Sequence, residues 1–196
     1  TYPKSISYGE PLQMFKVLSS DKFITSRWKN GGGITHEIAR SHLGDNWVWR
    51  ISIADVATDG PFSRFDGMSR ILTVIEGKGV DLISSDGVIA ARPLKPVSFS
   101  GEMDISSSLV DGEIKDLNII FDSTQITAEV TLLKGPLTKK VGVDMFGFLP
   151  LRGRVFVGAQ LLKVGEFVLG STATLNLNTD SFGLWVSLRK KNSSKV

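Results

Sequence analysis

The side chains of this sequence that could hold a small anion are two arginines with hydroxyl and amide groups near them. Arg50 and Ser52 are two residues apart, so they share one face of an extended strand. Arg70 opens one apolar run, and Asn118 interrupts another. A buried arginine needs an anion, and a buried asparagine needs hydrogen-bond partners. These residues therefore predict a polar pocket inside a folded domain.

Two kinds of partner for these arginines fit the sequence equally well. The acid could belong to the chain, as Glu37 or Asp66, and the ion pair would then be structural. It could instead be a ligand carboxylate held by two parallel N–H···O bonds. Apolar walls for such a pocket could come from Trp28, Trp49 and Phe62, although each taken singly is more often a core residue.

A second polar group surrounds a glycine turn. Glycines fill positions 31–33, after Trp28 and Asn30 and before Thr35 and Glu37. Glycine permits positive φ and lets the main chain approach a ligand or another strand closely. The turn lacks the lysine and the following helix of a phosphate-binding loop. We expect it to place Asn30, Thr35 and Glu37 near the arginines.

Metal and nucleophilic chemistry find little support in the sequence. His36 and His42 are the only histidines, cysteine is absent, and a ligand set completed by Glu37 has no standard spacing. Ser63, in a predicted tight turn at residues 60–65, offers a hydroxyl to the pocket but lies in no nucleophile-elbow motif. We expect neither a metal nor another cofactor.

Composition narrows the class of protein. The chain has 196 residues, of which 41% are hydrophobic and 22% charged, as in ordinary folded domains. The net charge of +3 is small, and the basic residues at 189–191 with Lys195 fit a solvated tail. No apolar run reaches the ~20 residues of a membrane helix. We expect no nucleic-acid or membrane partner and, with cysteine absent, a cytoplasmic location.

Period-two alternation and turn residues dominate the sequence and predict an all-β fold, an antiparallel barrel or sandwich. Within 47–54, odd-numbered and even-numbered residues should face opposite sides of a sheet. The run 71–75 is typical of a strand buried on both faces. The predicted strands cover residues 14–18, 23–28, 34–39, 47–54, 71–75, 80–84, 88–91, 97–100, 105–110, 113–121, 128–133, 144–149, 154–158, 160–164, 166–169, 173–177 and 184–188.

Glycines mark the predicted connections between these strands. The Asp-Gly pairs at 86–87 and 111–112 each predict a β-hairpin. In the second half, Gly153, Gly165, Gly170 and Gly183 are expected to separate successive strands.

Several blocks of the sequence resemble the HutD/Ves family. The first is Trp28-x-Asn30-Gly31-x-Gly33-x-Thr35-x-Glu37-Ile38. The second joins Trp49-Arg50-x-Ser52-x-Ala54 to Gly60-Pro61-Phe62-Ser63-x-Phe65-x-Gly67-x-x-Arg70. Glu76-Gly77-x-Gly79 and Asp116-Leu117-Asn118 are similar to later family elements. The resemblance covers about residues 14–121, and its combined spacing is specific.

The resemblance implies a cupin-like fold with two antiparallel β-barrels, a bicupin, in one compact chain. Residues 1–122 would form the barrel with the pocket, residues 123–190 a smaller barrel, and residues 191–196 a tail. It also implies a role in bacterial histidine utilisation, through regulation rather than catalysis. The ligand would be a small acidic intermediate such as N-formylglutamate or urocanate, and a homodimer is the common assembly of cupin-like barrels.

Three functional hypotheses follow. In the first, the chain is a binding protein whose Arg50 or Arg70 holds a carboxylate. The other ligand-binding residues would be Trp28, Asn30, Thr35, Glu37, Trp49, Ser52, Phe62, Ser63 and Asn118. In the second, it is a cupin-type enzyme acting on a small acidic metabolite, with Glu37 or His36 as acid or base. In the third, it is a protein-interaction scaffold that binds through an open sheet edge.

Overall fold

The structure, a computed structural model, describes residues 14–41 and 47–191. Within these ranges the chain forms seventeen strands and a short 3-10 helix, Ser20–Lys22, which agrees with the predicted all-β class. His42, Lys195 and residues 192–196 of the predicted tail lie outside the described residues.

The strands, in chain order, are β1 Met14–Leu18, β2 Ile24–Arg27, β3 Gly33–Arg40, β4 Trp49–Val56, β5 Gly60–Pro61, β6 Ser69–Glu76, β7 Val80–Ser84, β8 Gly87–Ala91, β9 Val97–Ser100, β10 Ser106–Leu109, β11 Ile114–Phe121, β12 Ile126–Lys134, β13 Leu137–Arg152, β14 Val155–Val157, β15 Gln160–Leu162, β16 Phe167–Leu177 and β17 Phe182–Lys190.

Strand pairing divides the chain into three antiparallel sheets. A six-stranded sheet has the order β2-β3-β4-β11-β6-β9, and a four-stranded sheet has the order β5-β10-β7-β8. The seven-stranded sheet runs β12-β17-β13-β16-β14-β15, and β1 joins it by pairing with β16. Among the described strands no sheet pairs its first strand with its last, so the pairing leaves the sheets open rather than closed as barrels.

Three apolar cores hold these sheets together. The first lies between the six-stranded and seven-stranded sheets and includes Ile51, Leu117 and Phe167. The second lies between the six-stranded and four-stranded sheets and includes Leu72 and Leu82. The third is built by the seven-stranded sheet alone. The six-stranded sheet is therefore covered on both faces, which explains the nearly continuous apolar run in β6.

The predicted alternation holds within β4 but fails just before it. From Trp49 to Ala54, odd-numbered residues face the first core and even-numbered residues the opposite side. The chain bends at Val48, which is buried in the first core beside Trp49. Trp47 instead packs edge-on against Phe65, with ring centroids 6.3 Å apart. The predicted faces of Trp47 and Val48 are wrong because the strand begins only at Trp49.

One of the two Asp-Gly hairpins is confirmed. β7 and β8 pair with Ser84 opposite Gly87, so residues 85–86 form the connecting loop. The predicted hairpin at 111–112 is wrong, because β10 belongs to the four-stranded sheet and β11 to the six-stranded sheet. Gly112 has φ +75°, and its turn carries the chain from one sheet to the other.

Glycines of the second half serve two purposes. Gly153 and Gly165 have φ values of +79° and +89° and lie in turns, as predicted. Gly170 and Gly183 do not separate strands, because they lie inside β16 and β17. A Cβ on Gly170 would lie 2.3 Å from the carbonyl oxygen of Met14, so this glycine is needed for close strand packing.

The tight turn predicted at residues 60–65 is also wrong. Gly60 and Pro61 form β5, which pairs with β10. The chain then stays extended, with the amides of Phe62 and Phe65 donating to the carbonyls of Ile105 and Gly101 at 2.9 and 2.7 Å. This segment lies along one side of the six-stranded sheet. It places Phe62 against Arg70 and Phe65 against both Arg50 and Arg70.

Candidate functional site

The polar side chains of β4, β6 and β11 converge on a small cavity of about 60 Å³. They lie on the face of the six-stranded sheet opposite the first core. Trp28 and the segment following β5 close the cavity from the side. Its lining residues are Trp28, Thr35, Arg50, Ser52, Ala54, Phe62, Ser63, Phe65, Arg70, Asp116, Asn118 and Ile120. Ser63 is exposed, so the cavity reaches the surface beside it.

Arg70 is a buried guanidinium held by aromatic rings. Its side chain is only 6% exposed, and its Cζ lies 5.4, 5.4 and 5.1 Å from the ring centroids of Phe62, Phe65 and Phe99. Nη1 donates to the carbonyl oxygen of Ser63 at 3.1 Å. Nε has no hydrogen-bond partner among the described residues. Burial lowers the pKa of Arg70 to about 10, and Asp116 acts in the opposite direction.

Arg50 is the second guanidinium of the cavity. Its Cζ lies 5.0 Å from the ring centroid of Phe65 and 5.4 Å from that of Trp47. Burial lowers the pKa of Arg50, while Glu37 raises it and Arg40 lowers it. Its Nε is buried without a partner in the described part of the chain. Both arginines therefore keep donors available for an anion.

Asp116 is the carboxyl group of the cavity. It is 1% exposed, and neither oxygen is hydrogen-bonded to any residue that the structure describes. Burial raises the pKa of Asp116 to about 7, against the lowering effects of Arg70 and then of the nearby Asn118 amide. Asn118 Oδ1 likewise has no partner within the described ranges. The cavity thus combines unpaired donors from β4 and β6 with unpaired acceptors from β11.

The glycine turn fixes one wall of the cavity. The amide of Trp28 donates to the carbonyl of Gly33 at 2.9 Å, and Gly31 has φ +73°. A Cβ on Gly33 would lie 2.6 Å from the carbonyl oxygen of Asp55 and 3.0 Å from the Trp28 ring. Trp28 is thereby seated against Phe62, and its indole Nε1 donates to Thr35 Oγ1 at 2.8 Å.

The structure brings most of the predicted site residues together at this cavity. The ones that line it are Trp28, Thr35, Arg50, Ser52, Phe62, Ser63, Arg70 and Asn118. Asn30 does not, because its Oδ1 accepts from the amide of Gly32 at 3.0 Å. Trp49 faces the first core. Glu37 lies outside the lining and pairs with Arg40, whose Nε is 3.3 Å from Oε1.

Sequence reasoning missed several lining residues: Ala54, Phe65, Asp116 and Ile120. Asp116 is the most important of these, because its carboxyl is the only ionisable acid among the residues that line the cavity. Strand alternation puts residues 116 and 120 on the same face of β11 as Asn118, so the signal was present. Asp66, suggested as an arginine partner, pairs instead with exposed Arg64 at 3.2 Å.

His36 is placed away from the cavity. It belongs to the opposite face of β3, where its Nε2 lies 2.7 Å from Asp55 Oδ2 and its Nδ1 lies 3.0 Å from Thr25 Oγ1. Neither His36 nor Glu37 lines the cavity, so the acid or base role considered for them has no geometric support there. Residues 14–41 and 47–191 contain no group of three or more acidic or histidine side chains arranged to bind a metal.

No helix among the described residues is long and apolar enough to cross a membrane.

Comparison with solved structures defines the class. The fold is similar to that of a bacterial pirin from Escherichia coli in complex with nickel(II), with a TM-score of 0.66 at 10% identity over 88% of this chain and 98% of that one. It is also similar to HutD from Pseudomonas fluorescens SBW25, determined in a formate condition, with a TM-score of 0.80 at 25% identity over 91% and 100%. The chain is thus a cupin-like all-β protein with a buried arginine-bearing cavity.

Sequence comparison adds the family. The HutD family profile matches residues 20–190. An uncharacterized 21.2 kDa protein in the hutC 3′ region of Pseudomonas putida is 40% identical over 129 residues, which are 63% of this chain and 67% of that protein. Protein Ves of Escherichia fergusonii is 33% identical over 151 residues, 76% and 75% of the two chains. The protein belongs to the HutD family, which confirms the resemblance carried by its motifs.

Proposed function

We propose that this protein binds a small carboxylate in the cavity between Arg50 and Arg70, as a regulatory and non-enzymatic component of bacterial histidine utilisation. The observation that carries the proposal is the pair of guanidiniums whose Nε donors lack a partner among the described residues. Buried donors without partners are costly, and a carboxylate is the group that matches guanidinium geometry. Phe65 contacts both arginines and holds them at one site.

Cavity size limits what enters. A volume of about 60 Å³ is roughly twice the ~30 Å³ share of one water molecule, enough for a carboxylate or formyl group. Molecules as large as N-formylglutamate or urocanate would insert one end and leave the rest near exposed Ser63. Formate would enter whole.

The names of two relatives support this proposal, although neither name states a function. One relative lies in the hutC 3′ region, and one solved HutD was determined in a formate condition. Because histidine degradation generates small acids, a carboxylate sensor suits such a gene neighbourhood. We further propose that the six-stranded and four-stranded sheets form one cupin half, within 1–122. The seven-stranded sheet would form the core of the other half, 123–190, with β1 added from the first half.

Thermal unfolding with and without ligand tests the proposal. Formate, N-formylglutamate or urocanate should raise the melting temperature, because a ligand at 100 times its Kd stabilises the native state by about 2.7 kcal/mol. Arg50→Ala should fold and lose this shift, since Arg50 is only partly buried and its loss removes one guanidinium from the cavity.

Arg154→Ala is the matched control. Arg154 is exposed, lies in the second half and stacks on Phe156, with 5.8 Å from Cζ to the ring centroid. It should keep the full ligand-induced shift. A folded Arg50→Ala protein with an unchanged shift would overturn the proposed site, and no shift with any of the three ligands would overturn the function.

A further inference from the structure

Asp116 is an ionisable group of the cavity that has no role in the carboxylate binding proposed above. Its carboxyl lines the same cavity as Arg50 and Arg70. Although Arg70 attracts it, none of the ion pairs among the described residues joins these two side chains. Both of its oxygens lack hydrogen-bond partners among the described residues. Because buried carboxyl groups are normally hydrogen-bonded, Asp116 is available to form a hydrogen bond with a ligand that enters the cavity.

A carboxylate ligand creates a conflict with this carboxyl. Two carboxylates that share a small buried site repel each other, and this repulsion raises the pKa of one of the pair. Arg70 lowers the pKa of Asp116, but burial raises it more, so this arginine does not offset the burial of even one carboxylate. A protonated Asp116 removes the repulsion and turns an acceptor into a donor aimed at the ligand.

We propose that Asp116 is a ligand-binding residue that acts as a neutral acid, donating its O–H to the bound carboxylate while Arg50 and Arg70 carry the countercharge. This inference rests on the proposed function. The proton comes from solvent and stays on a carboxyl oxygen of Asp116, and no covalent bond of the ligand changes. Binding of the anion is therefore coupled to uptake of a proton whenever the empty site is ionised.

The charges around Asp116 agree with this arrangement. Arg70 on β6 lowers the pKa of Asp116, and Asp55 on β4 raises it. Arg50, also on β4, lines the same cavity. On β3, Glu37 acts on Arg50 rather than on Asp116 directly. The buried residues contributed by the four-stranded sheet are apolar apart from Ser107.

The pH range of the coupling follows from the empty site. The pKa of Asp116 is raised to about 7, so the empty site holds its proton below that pH and loses it above. Below about pH 7 carboxylate affinity should be flat. Above it each pH unit should weaken binding about tenfold, because one proton must be recovered for each ligand bound.

Isothermal titration calorimetry with formate tests the coupling, because formate stays ionised throughout the range. At about pH 8, titrations in Tris and in HEPES, whose ionisation enthalpies differ, should report uptake of close to one proton per formate. The Kd should rise about tenfold between about pH 7.5 and pH 8.5. Asp116→Asn should bind formate with a flat pH profile and no proton uptake, since its amide donates without titrating.

Asp86→Asn is the matched control, because Asp86 is exposed in the β7–β8 loop. It should show the wild-type proton uptake and pH slope. Formate binding to the wild-type protein with no proton uptake and a flat profile would overturn the role of Asp116 and leave the proposed function standing. A proton-coupled slope that persists in Asp116→Asn would also overturn it. No binding of formate, N-formylglutamate or urocanate between pH 6 and pH 9 would overturn both.

Discussion

Arg70 shows how a charge is kept in a protein interior without being neutralised. Three phenyl rings contact its guanidinium, and among the described residues only Nη1 is bonded to a carbonyl. A desolvated cation over an aromatic face gains about 2 kcal/mol, which offsets part of the burial cost. Because rings accept no hydrogen bond in the guanidinium plane, the remaining donors stay directed at the cavity. Such an arginine binds anions better than one already paired with Glu or Asp.

Asp116 should make stability depend on pH even without a ligand. Its folded-state pKa of about 7 lies above the usual 3.8, so between these values the folded chain holds a proton that the unfolded chain has lost. Stability must fall as pH rises through this window, by about 1.4 kcal/mol per pH unit. Urea unfolding at about pH 5 and pH 7 should show that loss relative to Asp116→Asn. A constant difference between the two proteins would contradict it.

For individual residues, the sequence predicted which side chains line the pocket better than it predicted their hydrogen-bond and ion-pair partners. Arg50, Arg70 and Asn118 were expected in one pocket because polar groups within apolar strands need partners when they are buried, and all three line the cavity. Asn30 and Glu37 were assigned by proximity along the chain, and the structure uses them for the turn amide of Gly32 and for Arg40. Such contacts depend on turn geometry, which glycine-rich sequence specifies weakly.

At the scale of strands, the six-stranded sheet is what creates the site. β4, β6 and β11 each alternate between the first core on one face and the cavity or second core on the other. A sheet covered on both faces can therefore carry buried polar groups beside a complete apolar core. Period and hydrophobicity predict such strands, but not which strands pair, and this is why the hairpin at 111–112 was wrong.

Gly170 permits the close approach of β1 to β16. A Cβ there would lie 2.3 Å from the Met14 carbonyl oxygen and 2.7 Å from the Phe15 Cα, so Gly170→Ala should push β1 away and destabilise the fold by about 1–3 kcal/mol. Gly142→Ala is the matched control, because Gly142 also lies in a strand and a Cβ there meets nothing within 4 Å. Chemical denaturation measures both, and equal stability of the two variants would contradict this account.

At the scale of the molecule, the first core joins the two halves of the chain. Residues before 122 and residues after it contribute to the same buried cluster, with Leu117 and Ile119 on one side and Phe167 and Leu184 on the other. β1, at the start of the described chain, belongs to the sheet of the second half. The family resemblance implied two barrels in one compact chain, but the sequence did not show that β1 joins the sheet of the second half, because strand pairing is not visible in a strand pattern.

The shared core predicts that the molecule unfolds as one unit. Leu117 is fully buried in this core, so Leu117→Ala should cost about 2–5 kcal/mol. Hydrogen exchange followed by mass spectrometry should then show β13 and β16 losing protection together with β4 and β11, since the halves lose the same contacts. Leu175→Ala, in the core of the seven-stranded sheet alone, should likewise weaken protection in both halves. If either substitution loosened only its own half, the halves would be independent domains that share a surface rather than a core.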